Sequence, residues 1–221
     1  CLPMEPWQEI LKDSITTVDG LRKHVDCDNN ALDSVIANFP MRINRYFLKL
    51  IQFPGDPLWL QSVPDIREIK DDVCFQDPLG EENLSPVPNL VHKYPDRVLF
   101  LVSNQCAMYC RFCTRKRKVG TDKMVITRSS LEAGYEYIRS HPAIKEVLIS
   151  GGDPFLLSDE DISSILSQIR EIPSVEIIRI GTRVPSVLPM RITPSLVTIL
   201  AKHHPLYINT HFNHPMEITM E

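Results

Sequence analysis

Val98-Leu99-Phe100-Leu101-Val102, followed by Cys106-Ala107-Met108-Tyr109-Cys110-Arg111-Phe112-Cys113, is the stretch on which the fold turns. The first part is an unbroken apolar run of strand length, and the second sets three thiols within eight residues just after it. Downstream, Leu131, Tyr135 and Ile138 have helical spacing behind Ser129 and Ser130. Val147-Leu148-Ile149 reads as a second strand, ended by Ser150-Gly151-Gly152-Asp153-Pro154. Ser158, with Asp161 three residues on, is a helix start with an acidic first turn, and Ile162, Ile165, Leu166 and Ile169 follow as one apolar stripe. Val175–Ile180 is a third strand, Leu196, Ile199 and Leu200 mark a helix after Pro194, and Leu206–Asn209 is a fourth strand. Strands that are apolar on both faces and alternate with helices define the α/β class: a parallel sheet with right-handed crossover helices. Four βα units are legible.

Residues 1–92 read differently, as a helical N-terminal region. Short helices are expected at Pro6–Leu11, Ala31–Ala37 and Asn44–Ile51, the last with Tyr46, Phe47, Leu50 and Ile51 on one face. Pro54-Gly55-Asp56-Pro57 and Ser85-Pro86-Val87-Pro88 interrupt it. Residues 93–221 form the second region, which carries the four βα units. The sequence starts on Cys1 rather than Met and stops at Glu221 within a promising segment, so it is read as an excerpt of a longer protein. Its 221 residues are 43% hydrophobic and 24% charged, an ordinary globular composition. A net charge of −4 argues against a general nucleic-acid or anionic-membrane binder, and no run of about 18 apolar residues suggests a membrane span. The first residues lack a secretory pattern, so a cytoplasmic address is expected.

Six cysteines could suggest a disulfide framework, but Cys1, Cys27 and Cys74 are scattered while Cys106, Cys110 and Cys113 cluster. In a reducing compartment clustered thiols more often bind metal. Ligands of such folds sit at the C-terminal ends of the strands, where this loop begins. Three thiolates can hold three corners of a 4Fe–4S cubane and leave one iron open, since a closed cluster takes four. A zinc site completed by a histidine, or a loop with no ligand at all, is the competing reading.

Cys-x3-Cys-x-Phe-Cys after the first strand of a βα barrel resembles the signature of the radical S-adenosylmethionine (SAM) superfamily. The likeness narrows with Asp77-Pro78-Leu79, Tyr94-Pro95-Asp96-Arg97, Cys113-Thr114-Arg115, Ser150-Gly151-Gly152-Asp153 and Thr210-His211-Phe212-Asn213-His214-Pro215, which together resemble the lysine 2,3-aminomutase family along nearly the whole chain. That resemblance implies a partial βα barrel that stops before its last strands, a 4Fe–4S cluster on Cys106, Cys110 and Cys113, SAM on the open iron, and pyridoxal phosphate (PLP) as a second cofactor. A 5′-deoxyadenosyl radical would then abstract hydrogen from an amino acid held as an imine, and nitrogen would migrate from the α- to the β-carbon.

The resemblance also assigns side chains. Phe112, Ser150, Gly151, Gly152, Asp153, Arg183, His211 and Asn213 match SAM contacts; Lys93, Tyr94 and Arg97 match a segment near PLP. Arg115 matches the anchor of the substrate carboxylate, which a guanidinium can grip bidentately. The glycine edge would bind because backbone without side chains permits close approach, and Lys116 and Lys118 read as a solvated face. The lysine that carries PLP and the acids that select the substrate are expected beyond Glu221. Lysine is the first expectation for the substrate, with glutamate 2,3-aminomutase and the elongation factor P β-lysine-forming enzyme as family alternatives; Thr114 and the Arg115-Lys116-Arg117 run favour the free amino-acid branch. A non-catalytic iron–sulfur or zinc-binding module is the alternative outside that class. Partners implied are the amino-acid substrate, a flavodoxin- or ferredoxin-like electron donor and a second copy of the chain in a homo-oligomer.

Overall fold

Residues 6–24 and 32–221 are described in this computed structural model. Six short helices come first among them: α1 (Pro6–Lys12), α2 (Val18–Arg22), α3 (Leu32–Asn38), α4 (Arg45–Leu50), α5 (Pro57–Ser62) and α6 (Arg67–Lys70). Their starts are chemically marked. The Asn44 side chain accepts the Phe47 N–H to open α4, and Asp56 accepts those of Leu58 and Trp59 to open α5, with Pro57 at the first helical position. The Pro-Gly-Asp-Pro interruption is thus a helix start as well as a break. Asn44 is fully buried, and its amide donates to Ala107 O and Val187 O, which ties α4 to the cysteine loop.

The sheet has five strands in the order of the chain: β1 (Leu90–Tyr94), β2 (Arg97–Ser103), β3 (Glu146–Gly151), β4 (Ile177–Gly181) and β5 (Leu206–Asn209). β2 to β5 are parallel, as expected, and β1 is an additional strand antiparallel to β2. Helices α7 (Arg128–Ser140), α8 (Asp159–Arg170), α9 (Val184–Val187) and α10 (Pro194–Ala201) lie in the crossovers. α7 starts at a capping box between Thr127 and Ser130, slightly earlier than Ser129 suggested, and Ser158 caps α8 as read. The main apolar core joins Val98, Phe100, Val147, Ile149, Ile178 and Ile180 to α7, α8 and α10. A second core joins the N-terminal helices, through Trp7, Leu21, Phe47 and Leu58, to Ala107, Met108, Val187 and Leu188.

The boundary drawn from the sequence between residues 92 and 93 falls within β1, and the helical layer shares its core with the loops above the sheet. β1 escaped notice because its second half, His92-Lys93-Tyr94, is polar and its last two residues are exposed. Cys1, Cys27 and Ala31 lie outside the described residues. No helix among those described is long and apolar enough to cross a membrane.

Candidate active site

Between Ser103 and Arg128 the chain forms no helix or strand, and Cys106, Cys110 and Cys113 all lie on this loop at the C-terminal end of β2. Irregular backbone must find its hydrogen bonds elsewhere. Here Tyr109 N donates to Arg42 O (3.0 Å), Arg111 N to Gln61 O (2.8 Å) and Gly120 N to Asn104 O (2.7 Å). The buried Ala107 and Met108 anchor the loop in the second core.

The Gly151-Gly152 edge holds the loop from the other side. Gly152 N donates to Ser103 O (2.5 Å) and Asp153 N to Gln105 O (2.7 Å). A Cβ on Gly151 would come within 2.3 Å of Ser103 O, and one on Gly152 within 2.4 Å of Gln105 O. The bare backbone here admits the close approach of the protein's own chain at Ser103 and Gln105. Asp153 is likewise committed. Its buried carboxylate accepts from Thr182 Oγ1 (2.6 Å), Arg183 N (2.8 Å) and Phe155 N (3.1 Å), clipping the ends of β3 and β4 together. Burial pushes its pKa up and those hydrogen bonds pull it back. Ser150 is half-buried at the end of β3.

Arg183 is the hub of the site. Its Nη1 donates to Cys110 Sγ (2.9 Å) and its Nη2 to Glu217 Oε2 (3.1 Å) and to Gln61 Oε1. The guanidinium carbon lies 5.3 Å from the centre of the Phe112 ring, and the Phe112 and His211 rings are 6.3 Å apart edge-on. Asn213 joins through Nδ2 to Gln61 Oε1 (3.0 Å) and through N to Glu217 Oε1 (3.2 Å). Phe112, Arg183, His211 and Asn213 thus converge beside Cys110. Burial and the Arg183 charge lower the His211 pKa below its ordinary value, with Glu217 opposing them.

Arg115 stands apart from that group, next to Cys113. Its fork is already filled: Nε and Nη2 donate to Glu81 at 2.8 and 2.5 Å, with both side chains largely buried. Its Nη1 edge makes no hydrogen bond to a described residue. The rest of the basic run is paired too, correcting the solvated reading of Lys116 and Lys118. Arg111 and Lys116 meet Glu68 (2.9 and 3.0 Å), Arg117 meets Asp77 and Glu82, and Lys118 meets Glu82 (2.8 Å). Residues 68–82 form an acidic strap zipped onto residues 111–118.

The strap carries a pH signature. Burial would raise the Glu68 pKa, but the hydrogen bonds and charge of Arg111 prevail and hold it below its usual 4.5. A depressed carboxyl adds stability that is complete above the unfolded pKa and is lost as pH falls through the folded one. Thermal melting of the chain should therefore drop as pH is taken from about 5 to about 3, and Glu68→Gln should flatten that slope. An equal slope in the variant would mean that the strap contributes nothing to acid lability.

Lys93 and Tyr94 end β1 and Arg97 begins β2, at the opposite end of β2 from the thiols. Seven residues of strand at roughly 3.3 Å each separate the two ends by about 20 Å. The sequence does not bring these groups together, but it does align them. Tyr94 pairs with Arg97, whose side chain shares a strand face with Leu99 and Leu101, the face away from the crossover helices. The Arg97 guanidinium lies 5.7 Å from the Tyr94 ring centre. Farther across that face Arg179 pairs with Glu146 (3.0 Å) and stacks on Tyr207 (5.1 Å).

Whether the loop suits an iron–sulfur cluster can be tested on its chemistry. Burial pushes the pKa of all three thiols up, and each has a different arginine opposing that shift: Arg42 for Cys106, Arg183 for Cys110 and Arg115 for Cys113. The Nε–H of Arg183 is buried and finds no acceptor among the described residues. Among the described residues no three His, Cys, Asp or Glu side chains meet around one point fit for a single ion. The residues fit the cluster. Gln61, Glu217, Glu81 and Arg42 were not foreseen, because no local pattern marks a buried polar residue whose partner is distant.

Fold and loop together define a class, and a family comparison agrees: the radical SAM superfamily model matches residues 100–219. The chain is a radical SAM protein, a class that implies a 4Fe–4S cluster and SAM. It is 45% identical to L-lysine 2,3-aminomutase of Acetoanaerobium sticklandii over 97% of its length, which is 53% of that relative. Glutamate 2,3-aminomutase of Clostridioides difficile is 41% identical over 97% of the chain and 52% of the relative. L-lysine 2,3-aminomutase of Haemophilus influenzae is 35% identical over 98% of the chain and 68% of the relative. Within its superfamily the chain belongs to the lysine 2,3-aminomutase family. It spans about half the length of most of the relatives it matches.

Proposed function

We propose that the protein to which this chain belongs is a PLP-dependent 2,3-aminomutase that moves the α-amino group of a free amino acid, lysine first, to the β-carbon. The observation that carries this reading is the alignment of three elements. Arg115 flanks the thiol loop, Tyr94 and Arg97 offer a cationic, aromatic end to the same strand, and one sheet face free of crossover helices runs between them. When bound, SAM with the cluster supplies a radical that takes hydrogen, and PLP supplies the group through which nitrogen migrates.

The chain's own residues position and shield. Glu81 fixes the Arg115 guanidinium, and the remaining Nη1 edge supports a role in gripping the substrate carboxylate. The Phe112, His211, Arg183 and Asn213 group supports binding of SAM beside Cys110, with Ser150 and the Gly151-Gly152 backbone at its margin. Lys93 and Arg97 support a phosphate contact for PLP. A low-potential flavodoxin- or ferredoxin-like donor, assembly as a homo-oligomer and a cytoplasmic address belong to the same proposal.

Glutamate is the second reading, favoured by the similarity to a relative named for it. The test is anaerobic turnover of the full-length enzyme with dithionite, SAM and PLP, following isotopic nitrogen from the α- to the β-carbon of lysine and, separately, of glutamate. Migration on lysine supports the first reading, migration on glutamate alone the second, and SAM cleavage without migration on either overturns both. Arg115→Lys keeps the charge but loses the planar fork, so kcat/KM should fall roughly ten- to a hundredfold, the equivalent of one charge-assisted hydrogen bond.

A further inference from the structure

Among the described residues, one side-chain hydrogen bond reaches any of the three loop sulfurs: Arg183 Nη1 to Cys110 Sγ at 2.9 Å. Cys113 receives only a backbone N–H, from Arg115 at 3.3 Å. The three corners of the loop are therefore not electrically equivalent. Arg183 cannot drift from this position. Its side chain is 8% exposed, that of Glu217 is fully buried, and the Phe47 and Phe112 rings lie 6.0 and 5.3 Å from its guanidinium carbon. Glu217 is itself fixed, with Oε1 taking Gln61 Nε2 (2.8 Å) and Asn213 N while Oε2 takes Arg183.

We infer that Arg183, held by Glu217 and Gln61, is a positioning residue that tunes the cluster: by hydrogen-bonding the Cys110 sulfur it makes the cluster easier to reduce, and Glu217 sets how much of its positive charge is felt there. The step concerned is the gain of one electron from a low-potential donor, taking the cluster from its 2+ to its 1+ state with no proton and no bond broken. The added negative charge spreads onto the sulfurs, so an N–H donor and a cation at a sulfur stabilise the reduced form. Low dielectric around Cys110 strengthens that effect, and Glu217 opposes it by neutralising part of the guanidinium charge. The inference rests on membership of the radical SAM superfamily and not on the aminomutase reading.

Opposite signs test it. The full chain is reconstituted with its cluster, and the potential is read by electron paramagnetic resonance during a mediated dithionite titration, without amino acid, SAM or PLP. Arg183→Gln should lower the reduced-to-oxidised ratio at fixed potential about tenfold, which for one electron is a shift of about 59 mV to the negative side. Glu217→Gln should shift the potential to the positive side, because the guanidinium is no longer balanced. Arg183→Lys, which keeps charge but loses the fork, should fall between wild type and Arg183→Gln.

Iron content and melting temperature are measured on every sample, so that only cluster-loaded, folded proteins are compared. If Arg183→Gln does not hold iron, the sign of the Glu217→Gln shift decides alone. An unshifted potential in loaded Arg183→Gln overturns the inference, and so does a negative shift in Glu217→Gln, the result expected of a merely loosened site. Either failure would leave the amino-migration proposal standing.

Discussion

Replacing Cys106, Cys110 or Cys113 with Ala should abolish iron loading under anaerobic reconstitution, while Cys74→Ala should load like wild type. The contrast follows from placement. The three loop cysteines are half-buried, share one irregular segment and each have an arginine charge opposing the rise in thiol pKa, whereas Cys74 is exposed and hydrogen-bonded in its own turn near Asp71. A cubane with two protein thiolates has two irons without protein ligands and is expected to fall apart rather than bind weakly. Iron and sulfide analysis with the absorbance near roughly 400 nm reads the outcome. Loss of iron in the Cys74 variant, or its retention in any of the other three, would remove the loop from its role.

The second large effect is on folding. Gly152→Ala should destabilise the chain by on the order of 3 kcal/mol, because its Cβ would lie 2.4 Å from Gln105 O and 2.6 Å from Gln105 N, and neither is a flexible side-chain end. Gly151→Ala should cost at least as much, since its φ of +120° adds backbone strain to a 2.3 Å contact. Gly181→Ala is the control: its new Cβ meets Ser150 Oγ at 3.5 Å, an ordinary contact, so stability should hardly change. Chemical denaturation of the three variants ranks them. Equal stabilities would show that the loop shifts away freely and is not held by the glycine edge.

The parallel sheet was readable because its strands are short apolar runs separated by marked helix starts, and Ser158 or Pro194 signals a helix with no help from the rest of the chain. The thiol loop was readable for the same local reason. What stayed hidden is pairing at a distance. The basic residues at 111–118 look solvated until the acids at 68–82 are brought against them, and neither segment has a period that announces the other. Gly151 and Gly152 illustrate a subtler loss. Their lack of side chains was rightly taken to permit close approach, but sequence cannot say what approaches, and here it is the chain itself. Arg115 was singled out and Glu81 was not, because a carboxylate in a turn is ordinary until a guanidinium is found in its fork.

The Gln61–Glu217–Arg183 junction also sets a schedule for the nascent chain. Gln61 and Glu217 are 156 residues apart, and Gln61 and Arg183 are 122 apart. At roughly 5–20 residues per second, a ribosome takes about 8–30 s to travel from the first of these to the last. Throughout that interval the polar end of α5 waits without its carboxylate, and the loop thiols, in the first half of the span, emerge before the residues that complete their surroundings. Iron delivered during synthesis would meet an unfinished cradle.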